Sequence, residues 1–146
     1  MKLEKKPKWR SMNAITTELW ALARRISFRT HANPLGGVDF YTCPQRGLVG
    51  QNRQCGHAYP AGALGASMKY DLHILRPQCY NCNINYGGMS VVFWKNLERE
   101  LGKKAAGVLY RECQSSKGYP VNARNHYTNL IREYSLILTS YGNIRL

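Results

Sequence analysis

The sequence predicts an α+β fold in which a small, loop-rich unit is flanked by helices. Three observations carry this expectation. Apolar residues recur at helical spacing near both ends of the chain; the middle is rich in Gly, Pro, Asn and Cys with only short apolar runs; and four of the five cysteines fall in that middle. At 146 residues the chain matches the ~150 that serve as a prior for one domain.

Residues 1–12 read as a flexible basic arm: Lys2, Lys5, Lys6, Lys8 and Arg10 stand against the single acid Glu4, and Pro7 breaks any helix. From 13 to 30 the stripe Ile15, Leu19, Leu22, Ile26 predicts an amphipathic helix. Arg24, Arg25 and Arg29 lie near its C-terminal end, where cations suit the helix dipole. The central unit spans 33–101, with strands expected at 38–43 and 73–75. Between residues 40 and 97 the one acid is Asp71, against Arg46, Arg53, Lys69, Arg76 and Lys95. A helix then begins with Ser90 as N-cap, places Val91, Trp94, Leu97 and Leu101 on one face, and stops at Gly102. The C-terminal part, 102–146, holds a short helix around 104–114 and a last helix over 122–140. The stripe Tyr127, Leu130, Ile131, Tyr134, Leu138 of that last helix reads as core packing. Residues 13–146 are thus expected to form one domain.

Charge narrows the partner. Lys and Arg number 21 against 8 Asp and Glu, a formal charge of +13, while 44% of residues are hydrophobic, so the chain folds and is strongly cationic. Such an excess repels itself unless a polyanion offsets it, and nucleic acid is the commonest one inside cells. The basic residues nominated for phosphate contact are Lys5, Lys6, Lys8, Arg10, Arg24, Arg25, Arg29, Arg53, Lys69 and Arg76. An anionic membrane is disfavoured: no apolar run approaches the ~18 residues of a spanning helix, and the N-terminus lacks a signal-peptide stretch. A soluble, intracellular protein is expected.

An odd number of cysteines without secretory features argues against a disulfide framework and for metal ligation. Cys79-Tyr-Asn-Cys82 has zinc-knuckle spacing, since two thiolates two residues apart can hold one tetrahedral Zn²⁺ from a tight turn. The other half is assigned to Cys43 and Cys55, with eleven residues between them. A thiol-lined core without metal is the competing account. Cys113, in the helical run VLYRECQ, reads as a small buried hydrophobe. One zinc joining these turns would bring His57 and Asn83 to the same side although 26 positions separate them. An imidazole can activate water near neutral pH, and an Asn carbonyl is a hard oxygen suited to Mg²⁺.

At these residues the sequence resembles the phage recombination proteins of the lambda NinG (Rap) type, HNH-like ββα-metal nucleases. The resemblance is carried by Glu18-Leu-Trp-Ala-Leu, Phe40-Tyr-Thr-Cys43, Gly56-His57 with Tyr59, and Arg76-Pro-Gln-Cys79-Tyr-Asn-Cys82-Asn83 followed by Gly87-Gly88, over roughly residues 17–140. The CxxCN element is also similar to the turn of endonuclease VII, a phage junction resolvase. The resemblance implies a zinc-stapled ββα-metal unit with His57 as general base, Asn83 as ligand of a catalytic Mg²⁺ or Mn²⁺, and structural Zn²⁺. It implies cleavage of branched DNA such as Holliday junctions and D-loops, in the cytoplasm of a bacterial host. Symmetrical cleavage of a junction needs two active sites, for which the last helix offers a homodimer interface. The chain departs from the family pattern at Arg46, where a second thiol is usual, at Gln54, where many members place a metal-binding Asp, and at Ile74-Leu75-Arg76, where Asn-aliphatic-His is usual. The Gln54 departure keeps a second reading in play, a non-catalytic zinc-stapled DNA- or RNA-binding protein with a degenerate site.

Overall fold

The computed structural model describes residues 9–43 and 53–142. Helix α1 spans Met12–Thr30 and opens on Ser11, whose side chain accepts the Ala14 amide and so satisfies one of the unpaired donors of the first turn. Ile15, Leu19, Ala23 and Ile26 are buried along one face. That face meets helix α4, Ala123–Ser140, which is capped in the same way by the Asn122 side chain. Tyr127 and Tyr134 of α4 are buried, and Leu130, Ile131 and Leu138 pack against the same cluster. The stripe read as core packing is therefore used within the chain. The Tyr134 hydroxyl donates to the Tyr70 carbonyl at 2.6 Å, so the one polar atom of that ring is paired where it is buried.

Among the described residues the sheet is an antiparallel pair, β1 (Arg53–His57) with β2 (Leu75–Cys79), in register from Arg53 opposite Cys79 to His57 opposite Leu75. Neither expected strand holds its place. Val38 makes an isolated bridge with Ala32, and among the described residues the segment then meets β2 through one backbone bond, from the Tyr41 amide to the Pro77 carbonyl. Residues 72–74 form a 3₁₀ turn because the Asp71 carboxylate accepts the His73 amide at 2.8 Å, and the strand starts where that turn ends. Every residue of β2 is buried.

Helices α2 (Ser90–Leu101) and α3 (Lys103–Ser115) form a second core with Phe93, Leu97, Leu109 and Cys113, closed by Leu64, Met68 and Ile74. Ser90, expected as a cap, is the first helical residue; Met89 precedes it in the left-handed region, at φ 54°. Gly102, at φ 88°, ends α2 and starts α3. Cys113 is fully buried, and burial pushes its thiol up to about 12, as fits a small hydrophobe. The chain order around the sheet is thus strand, strand, turn, helix. Among the described residues no helix is long and apolar enough to cross a membrane.

Two polar residues of β2 hold this arrangement. Arg76, nominated above for phosphate, is 5% exposed. Its guanidinium donates to the carbonyls of Leu72, His73 and Leu75 and pairs with Glu100 of α2 at 3.3 Å. It is a clamp between β2 and α2, unable to reach a nucleic acid. Gln78 is wholly buried and donates through Nε2 to Thr42 Oγ1 at 2.9 Å and to the Gly88 carbonyl at 2.8 Å. Its Oε1 lies over Gly56, where an added Cβ would sit 1.6 Å from it. The glycine before His57 is therefore required by packing. Gly56→Ala should lower stability by about 1–3 kcal/mol, because Gln78 would have to leave two buried partners. An unchanged denaturation midpoint in urea would refute this.

Candidate metal centre and the histidine beside it

After β2 the chain turns through the π-helical stretch Asn81–Asn85, which folds Cys82 back under Cys79; the Cys82 amide donates to the Cys79 sulfur at 3.4 Å. Thr42, held by Gln78, delivers Cys43 to the same place. The sulfurs of Cys43, Cys79 and Cys82 lie within 4.8 Å of one another. A tetrahedral zinc with ~2.3 Å bonds needs sulfurs ~3.8 Å apart, so this cluster can hold a metal ion with small adjustment. Burial raises the Cys79 thiol, but the amides of Cys82 and Asn81 and the neighbouring thiols outweigh it and leave it below its ordinary value. Cys82 is raised, by burial first. One thiol of the trio is thus shifted towards the thiolate form that metal binding requires.

Cys55 does not join them. Strand alternation turns its side chain under α1, among Leu19, Ala23 and Ile26, and burial pushes its thiol up to about 11. The same alternation sets Gln54 opposite Gln78, on the other face of the sheet from Cys55 and His57. Gln54 is therefore not turned towards His57, and a metal ligand shared between them is not formed. Among the described residues the three cysteines are the one group of three or more His, Cys, Asp or Glu side chains close enough to share an ion.

His57 ends β1. Its ring stacks on Trp20 of α1, with centroids 5.3 Å apart and planes at 4°. Nε2 lies 2.9 Å from the Lys69 carbonyl oxygen. A carbonyl only accepts, so Nε2 carries the proton and Nδ1 presents the lone pair. Nδ1 has no hydrogen-bond partner among the described residues and is not sealed from solvent. Burial, reinforced by the Lys69 charge, outweighs the carbonyl bond and lowers the His57 pKa below its usual value. The ring is neutral at pH 7 and ready to accept a proton.

The turn carrying Asn83 packs against β1, and a Cβ at Gly88 would come within 3.9 Å of the His57 carbonyl oxygen. The Ala58 carbonyl, next in line, accepts from the Trp94 indole of α2 at 2.8 Å. Asn83, on that turn, is half-buried. Trp20 was missed by sequence reasoning as a partner of His57, because it lies one position off the buried stripe of α1.

The other nominated cations divide. Lys5, Lys6, Lys8 and Arg46 lie outside the described residues. Arg24, Arg25 and Arg53 are exposed, and the Arg24 and Arg53 guanidiniums both stand over the Phe28 ring, at 5.7 and 4.9 Å. Arg29 lies over Tyr141, and Lys69 offers His57 its backbone carbonyl as well as its charge. Arg10 is not part of a loose arm: it pairs with Glu18, and its carbonyl accepts from Arg124.

Comparison with family models, with curated proteins and with solved structures gives no match to this chain. The resemblance to phage recombination nucleases rests on the residues that carry it.

The purified protein should contain one equivalent of zinc. Cys79→Ser should abolish it and Cys55→Ala should leave it in place, read by elemental analysis after gel filtration. Loss of zinc from Cys55→Ala with retention in Cys79→Ser would overturn the three-cysteine assignment.

Proposed function

We propose that this chain is a divalent-metal-dependent endonuclease of the HNH-like ββα-metal type that acts on branched DNA, with zinc as a structural staple. The observation that supports it most is the state of His57. Its proton is fixed on Nε2 by a backbone carbonyl, which leaves the lone pair on Nδ1, a nitrogen without a hydrogen-bond partner among the described residues. In this reading Nδ1 takes a proton from water as the water oxygen attacks phosphorus. The bond from phosphorus to the 3′ oxygen breaks, that oxygen takes a proton from solvent, and the products carry 5′-phosphates. Trp20 and the Lys69 carbonyl keep the ring from rotating, so the lone pair stays aimed. A bound Mg²⁺ or Mn²⁺ would offset charge on the phosphate and on the leaving oxygen, and the Asn83 carbonyl is the hard ligand on offer for it. With Gln54 turned to the other face, much of such an ion's shell would come from the substrate phosphate and water.

That thin ligand set favours a second reading, a zinc-stapled nucleic-acid-binding protein whose catalytic site has decayed. A four-way junction and a linear duplex, each incubated with Mg²⁺ or Mn²⁺, separate the two. In the first reading the junction is cut, and His57→Ala lowers the rate on the order of 10²–10⁴-fold while zinc content and DNA affinity persist. The rate should fall as pH drops, with a midpoint below about 6.5, because the base form of His57 is lost only below its lowered pKa. Tight binding by the wild type with no cleavage at any metal concentration would pass the assignment to the second reading.

A further inference from the structure

At the end of α1 remote from the cysteines, Trp9 and Arg10 meet Arg124 of α4 beside a groove of about 480 Å³. It is lined by Trp9, Arg10, Arg124, Thr128, Asn129 and Arg132. We infer that this groove binds an unpaired strand of nucleic acid, with phosphates on Arg124 and Arg132 and one base stacked on the Trp9 ring.

Position along α4 gives the first reason. Arg124, Thr128 and Arg132 recur every four residues and so share one face, with Asn129 beside them. Eight residues at ~1.5 Å place the two arginines ~12 Å apart along the helix. That separation lets the two arginines meet different phosphates of one strand. Among the described residues no carboxylate lines the groove, and the nearby Glu18 is taken up by Arg10. Arg132 is exposed and has no protein partner among the described residues.

The indole gives the second. Trp9 is 79% exposed, an uncommon position for the largest side chain. It is nonetheless held: the Arg124 guanidinium lies 5.6 Å from the ring centroid and donates to the Arg10 carbonyl at 2.6 Å. An aromatic face fixed beforehand stacks a base without a further ordering cost, and every base offers such a face once it is unpaired. In an intact duplex both faces of a base are already covered by its neighbours, so the groove selects single strands over duplex.

Its place in the molecule gives the third. Ile15 of α1 borders the groove, while Phe28, near the other end of α1, packs against the cluster of Cys79 and Cys82. Thirteen residues separate them, ~20 Å along the helix, and His57 stacks on Trp20 between the two. An unpaired strand in the groove would lie beside the proposed cleavage site, as at the branch of a junction or the edge of a D-loop.

The inference rests on the nucleic-acid half of the proposed function and is independent of the hydrolytic half. It is tested on the full chain without added Mg²⁺ or Mn²⁺, by anisotropy of labelled oligothymidine and of a short duplex. Trp9→Ala should weaken single-strand binding on the order of 5- to 150-fold and leave duplex affinity nearly unchanged, with Trp9→Phe restoring most of the loss. Arg132→Gln, at an exposed position, should reduce the slope of log affinity against log salt by about 0.7 for the single strand. Equal effects of Trp9→Ala on both ligands, or none on either, would remove the groove assignment while leaving the proposed function standing. So would displacement of the oligothymidine by polyglutamate at equal charge, which would identify an acidic protein as the occupant. Failure of the wild type to bind any nucleic acid would remove both.

Discussion

The buried carboxamide of Gln78 is the interaction on which the rest of the site depends. Its two Nε2 hydrogens tie Thr42, next to Cys43, and Gly88, at the end of the turn that carries Cys82 and Asn83. Its oxygen lies against Gly56, next to His57. Three segments distant in sequence therefore meet around one side chain, and each brings one part of the candidate chemistry. Such a bond has a net worth of only about 0.5–1.5 kcal/mol, but leaving a buried partner unsatisfied costs more, so the geometry is enforced chiefly by the penalty for losing it.

The metal trio extends this constraint. The small core beside it contains Val38, Phe40, Cys79 and Cys82, with Phe28, Cys43 and Met89 at its edge. So little apolar surface offsets poorly the entropy of ordering the loops around it, and an ion bound to the three thiols would supply the missing free energy. Three thiolates around Zn²⁺ carry one net negative charge. Arg53, directly across the ladder from Cys79, offsets it, and the Phe28 ring gives both Arg53 and Arg24 a surface to lie on.

The helices were legible because their periodicity survives in the sequence: Ile15, Leu19 and Ile26 line the buried face of α1, and Tyr127 and Tyr134 that of α4. The strands were not. Leu-Arg-Pro-Gln-Cys has no alternation and contains a proline, and its burial is offset by the carbonyls and Glu100 that Arg76 reaches and by the Thr42 and Gly88 oxygens that Gln78 reaches, although Arg76 Nε and Gln78 Oε1 stay unpaired among the described residues. The Asp71 turn displaced the expected strand start by competing for the His73 amide. The cysteine pair at 79 and 82 could be read from spacing, since a turn of that length fixes its own geometry. Cys55 could not, because its direction is set by strand parity against α1, a tertiary fact.

The same distinction sorts the positive charge. A net +13 says that a polyanion is welcome but not where, and the arginines that sequence treats alike do different work once placed. Arg76 is spent inside, on three carbonyls and Glu100. Arg53 and Arg24 stand over Phe28, beside the thiols. Arg124 holds the arm and the indole, and Arg132 faces solvent from the same helix face. Cation position, more than cation number, therefore sets where a phosphate can rest. These exposed arginines lie towards the two ends of α1, with the imidazole of His57 between them, so a strand bound at both ends would pass that ring.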